Sequence, residues 1–106
     1  MYKHLPSDYY EAIIQLRPAD SEVMNKVERY IRKTPRAWIS KMVHLKSGVD
    51  YYISSNKVAR QVGKQLKKVF RGELIESRKL FSRDSYTSKN IYRVTVCFRL
   101  NKEKNY

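Results

Sequence analysis

The chain has 106 residues, of which 42% are hydrophobic, and its 23 Lys+Arg against 10 Asp+Glu give a formal net charge of +13. This length allows one domain with one modest core, and the hydrophobic content excludes an intrinsically disordered chain. Because so large a charge opposes compaction, the composition indicates a polyanionic partner, and nucleic acid is the first candidate.

The first strand and the first helix are predicted from a change in periodicity. Residues 9–17 (YYEAIIQLR) alternate apolar and polar side chains, which predicts a strand whose buried face carries Tyr10, Ala12, Ile14 and Leu16. After Pro18, Asp20 or Ser21 can cap a helix, which continues at helical spacing until Thr34-Pro35.

Residues 37–46 (AWISKMVHLK) fit either a strand or a short helix. The following Lys46-Ser47-Gly48 resembles a three-residue hairpin loop in which Gly48 supplies a positive φ. That loop favours a strand over 37–46, paired with a second short strand that ends near Ile53.

A second helix is predicted from Ser54 or Ser55, either of which can act as its cap, to Gly72 as its C-cap. Residues 73–81 form the next element, 82–90 a polar loop, and 91–100 the most regular strand of the chain. The order β-α-β-β-α-β-β predicts an α+β fold, a ferredoxin-like plait with an extra strand and both helices on one face of an antiparallel-rich sheet. We expect one domain over residues 1–106, with an ordered core over about 8–100.

The second helix carries the most distinctive charge pattern. Residues 51–72 (YYISSNKVARQVGKQLKKVFRG) contain no Asp or Glu. On a helical wheel, an apolar stripe (Val58, Val62, Leu66, Val69, Phe70) lies nearly opposite a cationic stripe of Lys57, Arg60, Lys64, Lys67, Lys68 and Arg71. Like charges three or four positions apart destabilise a helix by a few tenths of a kcal/mol per pair. Contact with RNA phosphates would offset this cost, and a solvated face is the alternative.

Further cations are predicted around this helix. Arg83 and Lys89 lie on the loop 82–90, which either reaches into a groove or is a plain connection. Arg93 and Arg99 are on the polar side of the last strand, which would place them on the open face of the sheet. Tyr9 and Tyr52 are candidates for stacking on unpaired bases there.

Other function classes find little support in the sequence. The single cysteine, Cys97, excludes an internal disulfide or a cysteine-based zinc site and suits a reducing compartment. No apolar run approaches a membrane span and the N-terminus has no apolar signal region, so we expect a soluble, cytoplasmic protein without a membrane partner. The carboxylates are scattered, and we expect no catalysis, metal, cofactor or small-molecule substrate.

Several strings together resemble the NMD3 family (nonsense-mediated mRNA decay protein three), a large-ribosomal-subunit biogenesis and export adaptor. They are YYEAIIQLR (9–17), GVDYYISSNKVA (48–59), ESRKLFSRD (76–84) and IYRVTV (91–96), in that order. The resemblance covers about residues 8–100 and implies the central domain, which is similar to the eukaryotic-type ribosomal protein L-twenty-two and sits near the exit site and the mobile stalk. The family's zinc motifs, its domain resembling translation factor five-A and its export signal are not in this sequence, which implies an excised domain or a reduced homologue.

Together, charge pattern and resemblance predict a non-catalytic rRNA-binding domain that docks on the large ribosomal subunit, with ribosomal proteins as possible further partners. The predicted RNA-binding residues are Lys57, Arg60, Lys64, Lys67, Lys68, Arg71, Arg83, Lys89, Arg93 and Arg99. Two alternatives stay open: a protein–protein adaptor that grips an acidic partner, and a generic binder of single-stranded nucleic acid.

Overall fold

Seven elements follow one another in a computed structural model, which describes residues 9–83 and 90–101. They are β1 (Ala12–Arg17), α1 (Ser21–Lys33), β2 (Ile39–Leu45), β3 (Gly48–Ile53), α2 (Asn56–Val69), β4 (Gly72–Arg83) and β5 (Asn90–Leu100). The α+β class and the order β-α-β-β-α-β-β are confirmed. Residues 39–45 form a strand, which resolves the ambiguity of the 37–46 segment.

The five strands form one sheet in the order β2-β3-β1-β5-β4. Neighbouring strands are antiparallel except for β1 and β5, which are parallel. In the register, Ile14 of β1 lies between Tyr51 of β3 and Val96 of β5. All three side chains are buried, so the centre of the sheet presents continuous apolar rows to the two helices.

The helices are amphipathic and cover one face of the sheet. Asp20 is the N-cap of α1, because its Oδ1 accepts hydrogen bonds from the backbone N–H groups of Glu22 (2.9 Å) and Val23 (3.2 Å). The buried residues of α1 are Val23, Val27 and Ile31, as the spacing predicts. In the described part of the chain, no helix is long and apolar enough to cross a bilayer.

Two glycine predictions are wrong. Neither Gly48 nor Gly72 has a positive φ. Gly48 is the first residue of β3 after a two-residue turn, and a Cβ there would meet the carbonyl oxygen of Leu16. Gly72 is the first residue of β4, and a Cβ there would lie 2.6 Å from the ring of Phe98. Both positions need glycine because another strand comes close, and not because the backbone turns to the left-handed region.

The end of α2 and the start of β1 also differ from the predictions. Val69 is 53% exposed, and Phe70 caps α2 in an extended conformation (φ −118°, ψ 154°) while its ring packs against the core. The buried face of α2 includes Ala59 and Gly63, which the predicted apolar stripe omitted. Tyr10 precedes β1 and contacts Tyr52 on the open face of the sheet, so it does not belong to the buried row.

Candidate nucleic-acid interface

The N-terminus of α2 is held in place by two acceptors. Ser55 is the N-cap, and its hydroxyl oxygen accepts a hydrogen bond from the backbone N–H of Val58 (3.2 Å). Asn56 donates its backbone N–H to Oε1 of Glu11 (3.0 Å). The first turn of α2 has no acidic residue of its own. Glu11, which lies 45 positions earlier in the sequence, therefore supplies the negative charge that the positive end of the helix dipole favours.

The close packing of α2 on the sheet depends on Gly63. A Cβ at this position would lie 2.7 Å from Cγ1 of Val96 and 3.1 Å from Cδ1 of Leu74. The absent side chain lets the helix backbone approach β5 and β4 directly. This approach fixes which side of α2 faces solvent, and so directs the lysines on that side away from the sheet.

Three lysines form an exposed row along the outer side of α2. Lys57, Lys64 and Lys68 lie seven and four positions apart, so they share one side of the helix over a length of about 16 Å. The residue between them on this line, Gln61, is exposed and neutral. Among the described residues, none of the three lysines forms an ion pair. We call Lys57, Lys64 and Lys68 the lysine row.

The other cations of α2 point towards β4. Nε of Arg60 lies 3.0 Å from Oε2 of Glu76, and both side chains are about two-fifths exposed. Lys67 donates from Nζ to the carbonyl oxygen of Gly72 (3.0 Å). The predicted cationic stripe is thus divided into a solvent-directed row and two side chains with intramolecular partners. An acid-free run in the sequence does not reveal this, because Glu76 belongs to the next element.

The remaining predicted RNA-binding residues occupy other places. Arg71 is exposed in the connection between α2 and β4. Arg93 and Arg99 lie on the open face of the sheet, as predicted, which is the face opposite α2. Arg83 is the last residue of β4, and Lys89 is outside the described residues. The ten residues therefore do not form one continuous surface.

On the open face, two cations and two tyrosines form a connected series. Nζ of Lys41 lies 4.5 Å from the ring centroid of Tyr52, whose ring meets that of Tyr10 edge to face at 4.8 Å. The guanidinium of Arg93 lies 4.0 Å from the ring centroid of Tyr10 and donates to its hydroxyl oxygen (3.0 Å). Each ring already has a cation on one face, which leaves less ring surface for a base than the prediction for Tyr52 assumed.

Tyr9 has a structural role at this end of the sheet. Its hydroxyl donates to Oε2 of Glu11, and its carbonyl oxygen accepts a hydrogen bond from the hydroxyl of Ser40. Since Glu11 also binds the N-terminus of α2, Tyr9 helps to position that helix. Within residues 9–83 and 90–101, no group of three or more His, Cys, Asp or Glu residues is arranged to hold a metal ion.

Comparison with known proteins identifies the family. A family model described as the second domain of NMD3 matches residues 9–100, most of the chain. The chain therefore belongs to the NMD3 family, which confirms the resemblance read from the sequence. This family is related to ribosome biogenesis and export and is not a known enzyme class. A comparison with curated proteins finds no match.

Proposed function

We propose that this member of the NMD3 family is a non-catalytic RNA-binding domain that docks on rRNA of the large ribosomal subunit through the lysine row of α2. The observation that carries the proposal is the geometry of Lys57, Lys64 and Lys68, which are exposed, in line and form no ion pair among the described residues. Family membership supports the ribosomal subunit as the place of action.

The lysine row has the dimensions of a backbone contact. Its length of about 16 Å corresponds to roughly five nucleotides, taking about 3.4 Å of rise per nucleotide of one strand. Three ammonium groups on flexible stems act as point charges for phosphate, so they bind the backbone without reading the base sequence. The contact would therefore position the domain on an RNA that is selected by shape.

The division of the α2 cations determines how many phosphates are bound. The lysine row and Arg71 provide four exposed cations, whereas Arg60 and Lys67 already have partners. Four phosphate contacts predict that log K falls with log salt at a slope of about −2.8 to −3.6. A slope near twice this value would require the cations of the open face as well.

Two double variants of the same helix test the proposal. Lys64→Gln with Lys68→Gln removes two members of the lysine row, and Arg60→Gln with Lys67→Gln removes the same charge from the side that faces β4. Labelled fragments that tile the large-subunit rRNA are titrated with each protein at several salt concentrations. The first variant should lose about 1.4 to 1.8 units of slope, and about 25- to 60-fold in affinity at 0.1 M salt.

The second double variant is the matched control. It should lose clearly less affinity than the first variant, because Glu76 already offsets the charge of Arg60 and the hydrogen bond to Gly72 holds the ammonium group of Lys67 towards β4. Circular dichroism and urea midpoints check that both variants are folded; the Arg60–Glu76 pair, being exposed, contributes about 0–1 kcal/mol. Equal losses of slope in the two variants would show that net basicity, and not the lysine row, binds RNA.

A protein partner is distinguished by nuclease treatment. If the domain docks on rRNA, large subunits should pellet with the intact chain and lose it after the RNA is digested. If the wild-type chain and the Lys64→Gln, Lys68→Gln variant instead both stay bound to the ribosomal proteins after RNA digestion, that result would indicate an adaptor that binds ribosomal protein. Arg99→Gln on the opposite face should retain the wild-type salt slope.

A further inference from the structure

Among the strands of the described residues, β2 forms one edge of the sheet and pairs only with β3. Its seven residues, ISKMVHL, include Met42 and Leu45, which are 41% and 45% exposed. An edge strand offers a row of backbone N–H and C=O groups to another strand, and proteins usually protect such edges with charges. Lys41 is the only Lys, Arg, Asp or Glu of β2, and the register of the strand is irregular between Ile39 and Lys41.

The opposite edge of the sheet is protected differently. In its described part, β4 carries exposed charges of both signs, Glu73, Glu76, Arg78 and Lys79. A strand of either charge that approached β4 would meet like charges. Of the two edges, β2 is therefore the one open to an added strand.

A groove of about 490 Å³ lies beside β2, between that strand and α1. Its apolar lining includes Ile31, Trp38, Ile39 and Met42, and Arg32 and Glu28 lie at its polar side. Oε2 of Glu28 accepts a hydrogen bond from the hydroxyl of Tyr51 (2.6 Å), so this carboxylate is engaged with the core. We call this space the β2 groove.

The two sides of β2 would meet different side chains of an added strand. Met42 pairs with the buried Tyr51 and so lies on the helix side with the β2 groove, whereas Lys41 pairs with Tyr52 and lies on the open face. Successive side chains of a strand point to opposite faces. Side chains of an added strand that lie beside Ile39 and Met42 would thus enter the β2 groove, and the intervening ones would lie on the open face, where β2 presents Lys41, Val43 and Leu45.

We propose that the edge of β2 and the β2 groove bind an extended acidic segment of a protein partner, in which apolar and acidic residues alternate. The segment adds a sixth strand, its backbone pairs with β2, and its apolar side chains enter the β2 groove. Its acidic side chains are complementary to Lys41 and Lys46, to Arg32 at the polar side of the groove, and to the net charge of +13. This site is formed by residues other than the lysine row and does not depend on RNA binding.

The same charges argue against a second copy of this chain as the occupant. Pairing two β2 strands edge to edge would bring the Lys41 and Lys46 side chains of both copies together, and like charges across strands are destabilising. An acidic segment meets no such repulsion.

The single tryptophan of the chain, Trp38, lines the β2 groove and reports on its occupancy. Its backbone N–H donates to the hydroxyl oxygen of Ser54 (2.9 Å) and its carbonyl accepts from the N–H of Ser54 (3.0 Å), so its main chain is fixed. The full chain is titrated with the blocked peptide Glu-Val-Glu-Ile-Glu-Val-Glu, and Trp38 emission is recorded. The emission should change to saturation, with an affinity at least about tenfold higher than for the block-order peptide Glu-Glu-Glu-Glu-Val-Ile-Val.

Two substitutions with equal charge change separate the two edges. Met42→Glu introduces a carboxylate beside the β2 groove and should weaken peptide binding at least about tenfold, whereas Ile75→Glu on β4 should leave it within about twofold. Met42 and Ile75 are 41% and 46% exposed, so both variants should fold.

Three results would each overturn the proposal. These are no emission change with the alternating peptide, equal binding of the block-order peptide, and unchanged peptide binding by Met42→Glu. A dimer that forms at increasing protein concentration without peptide, and that Met42→Glu abolishes, would assign the edge to a second copy and overturn it as well.

Discussion

Replacement of Tyr51 by Phe tests the link between α1 and the centre of the sheet. The side chain of Tyr51 is fully buried, and its hydroxyl donates to Oε2 of Glu28 at 2.6 Å. Burial, the hydrogen bond to Glu28 and the charge of that carboxylate raise the pKa of the Tyr51 phenol well above its ordinary value near 10. The folded protein therefore keeps this proton at a pH at which the unfolded chain loses it.

The sign of the pH dependence follows from this raised pKa. Above pH 10 the unfolded chain binds one proton fewer at Tyr51 than the folded chain does, so unfolding becomes more favourable. The contribution is fully present below the unfolded pKa of about 10 and falls by about 1.4 kcal/mol per pH unit above it. At neutral pH, Tyr51→Phe removes a hydrogen bond to a charged group and should cost about 1.5–3 kcal/mol.

Urea unfolding at pH 7, 10 and 11, followed by circular dichroism, measures both effects. The wild type should be more stable than Tyr51→Phe at pH 7, and this difference should shrink by about 1.4 kcal/mol at pH 11. Tyr52→Phe is the control, because it removes the hydroxyl of the neighbouring, half-buried tyrosine on the open face. A difference between wild type and Tyr51→Phe that stays constant from pH 7 to 11 would refute the reasoning.

Two further substitutions test the packing and capping of the helices. Gly63→Ala places a Cβ 2.7 Å from Cγ1 of Val96. Overpacking costs about 1–3 kcal/mol, which exceeds the gain of about 1 kcal/mol in helix propensity, so urea unfolding should show a net loss of stability of up to about 2 kcal/mol. A more stable variant would contradict the close approach of α2 to the sheet. In the same assay, Asp20→Ala should lower the free energy of unfolding by about 1 kcal/mol, because the N-cap of α1 is lost. Ser21→Ala should be nearly neutral. Equal losses in the two variants would show that Asp20 is not the cap.

The features that local periodicity controls were predictable from the sequence. Alternation identified the buried rows of β1, β3 and β5, and helical spacing identified the buried face of α1, because each pattern records which side of one element meets the core. The hairpin of β2 and β3 was found despite a wrong account of Gly48. The turn-like sequence suggested a positive φ at Gly48. The structure instead needs a residue without a side chain there, because the carbonyl oxygen of Leu16 in β1 lies too close for a Cβ.

The features that depend on contacts distant in sequence were not predictable. The sequence identified all six cations of the α2 region, but not which of them are exposed to solvent without a partner in the described part of the chain and which have an intramolecular one. Glu76 and the carbonyl of Gly72 come close to Arg60 and Lys67 only because β4 packs beside α2. The capping of α2 by Glu11 also joins residues far apart in the chain. Tyr10 was assigned to the core because alternation was extended beyond Ala12, where β1 begins.

The sheet order separates the two proposed surfaces. α2 lies over β5, β4 and β1 and reaches β3 at one end, while the β2 groove lies at the edge of the sheet beside α1. Two strands, β3 and β1, stand between β2 and β5, a separation of roughly 14 Å at about 4.8 Å per strand. This exceeds the screening length of about 8 Å at physiological salt, so phosphates bound near Lys64, where α2 packs on β5, and carboxylates at β2 repel each other only weakly. Lys57 lies closer to the β2 groove, because it lines a cavity together with Trp38. If both proposals hold, RNA on the Lys64 side of the row and an acidic protein segment at β2 would be bound at the same time, which is the arrangement that a link between ribosomal RNA and a protein partner requires.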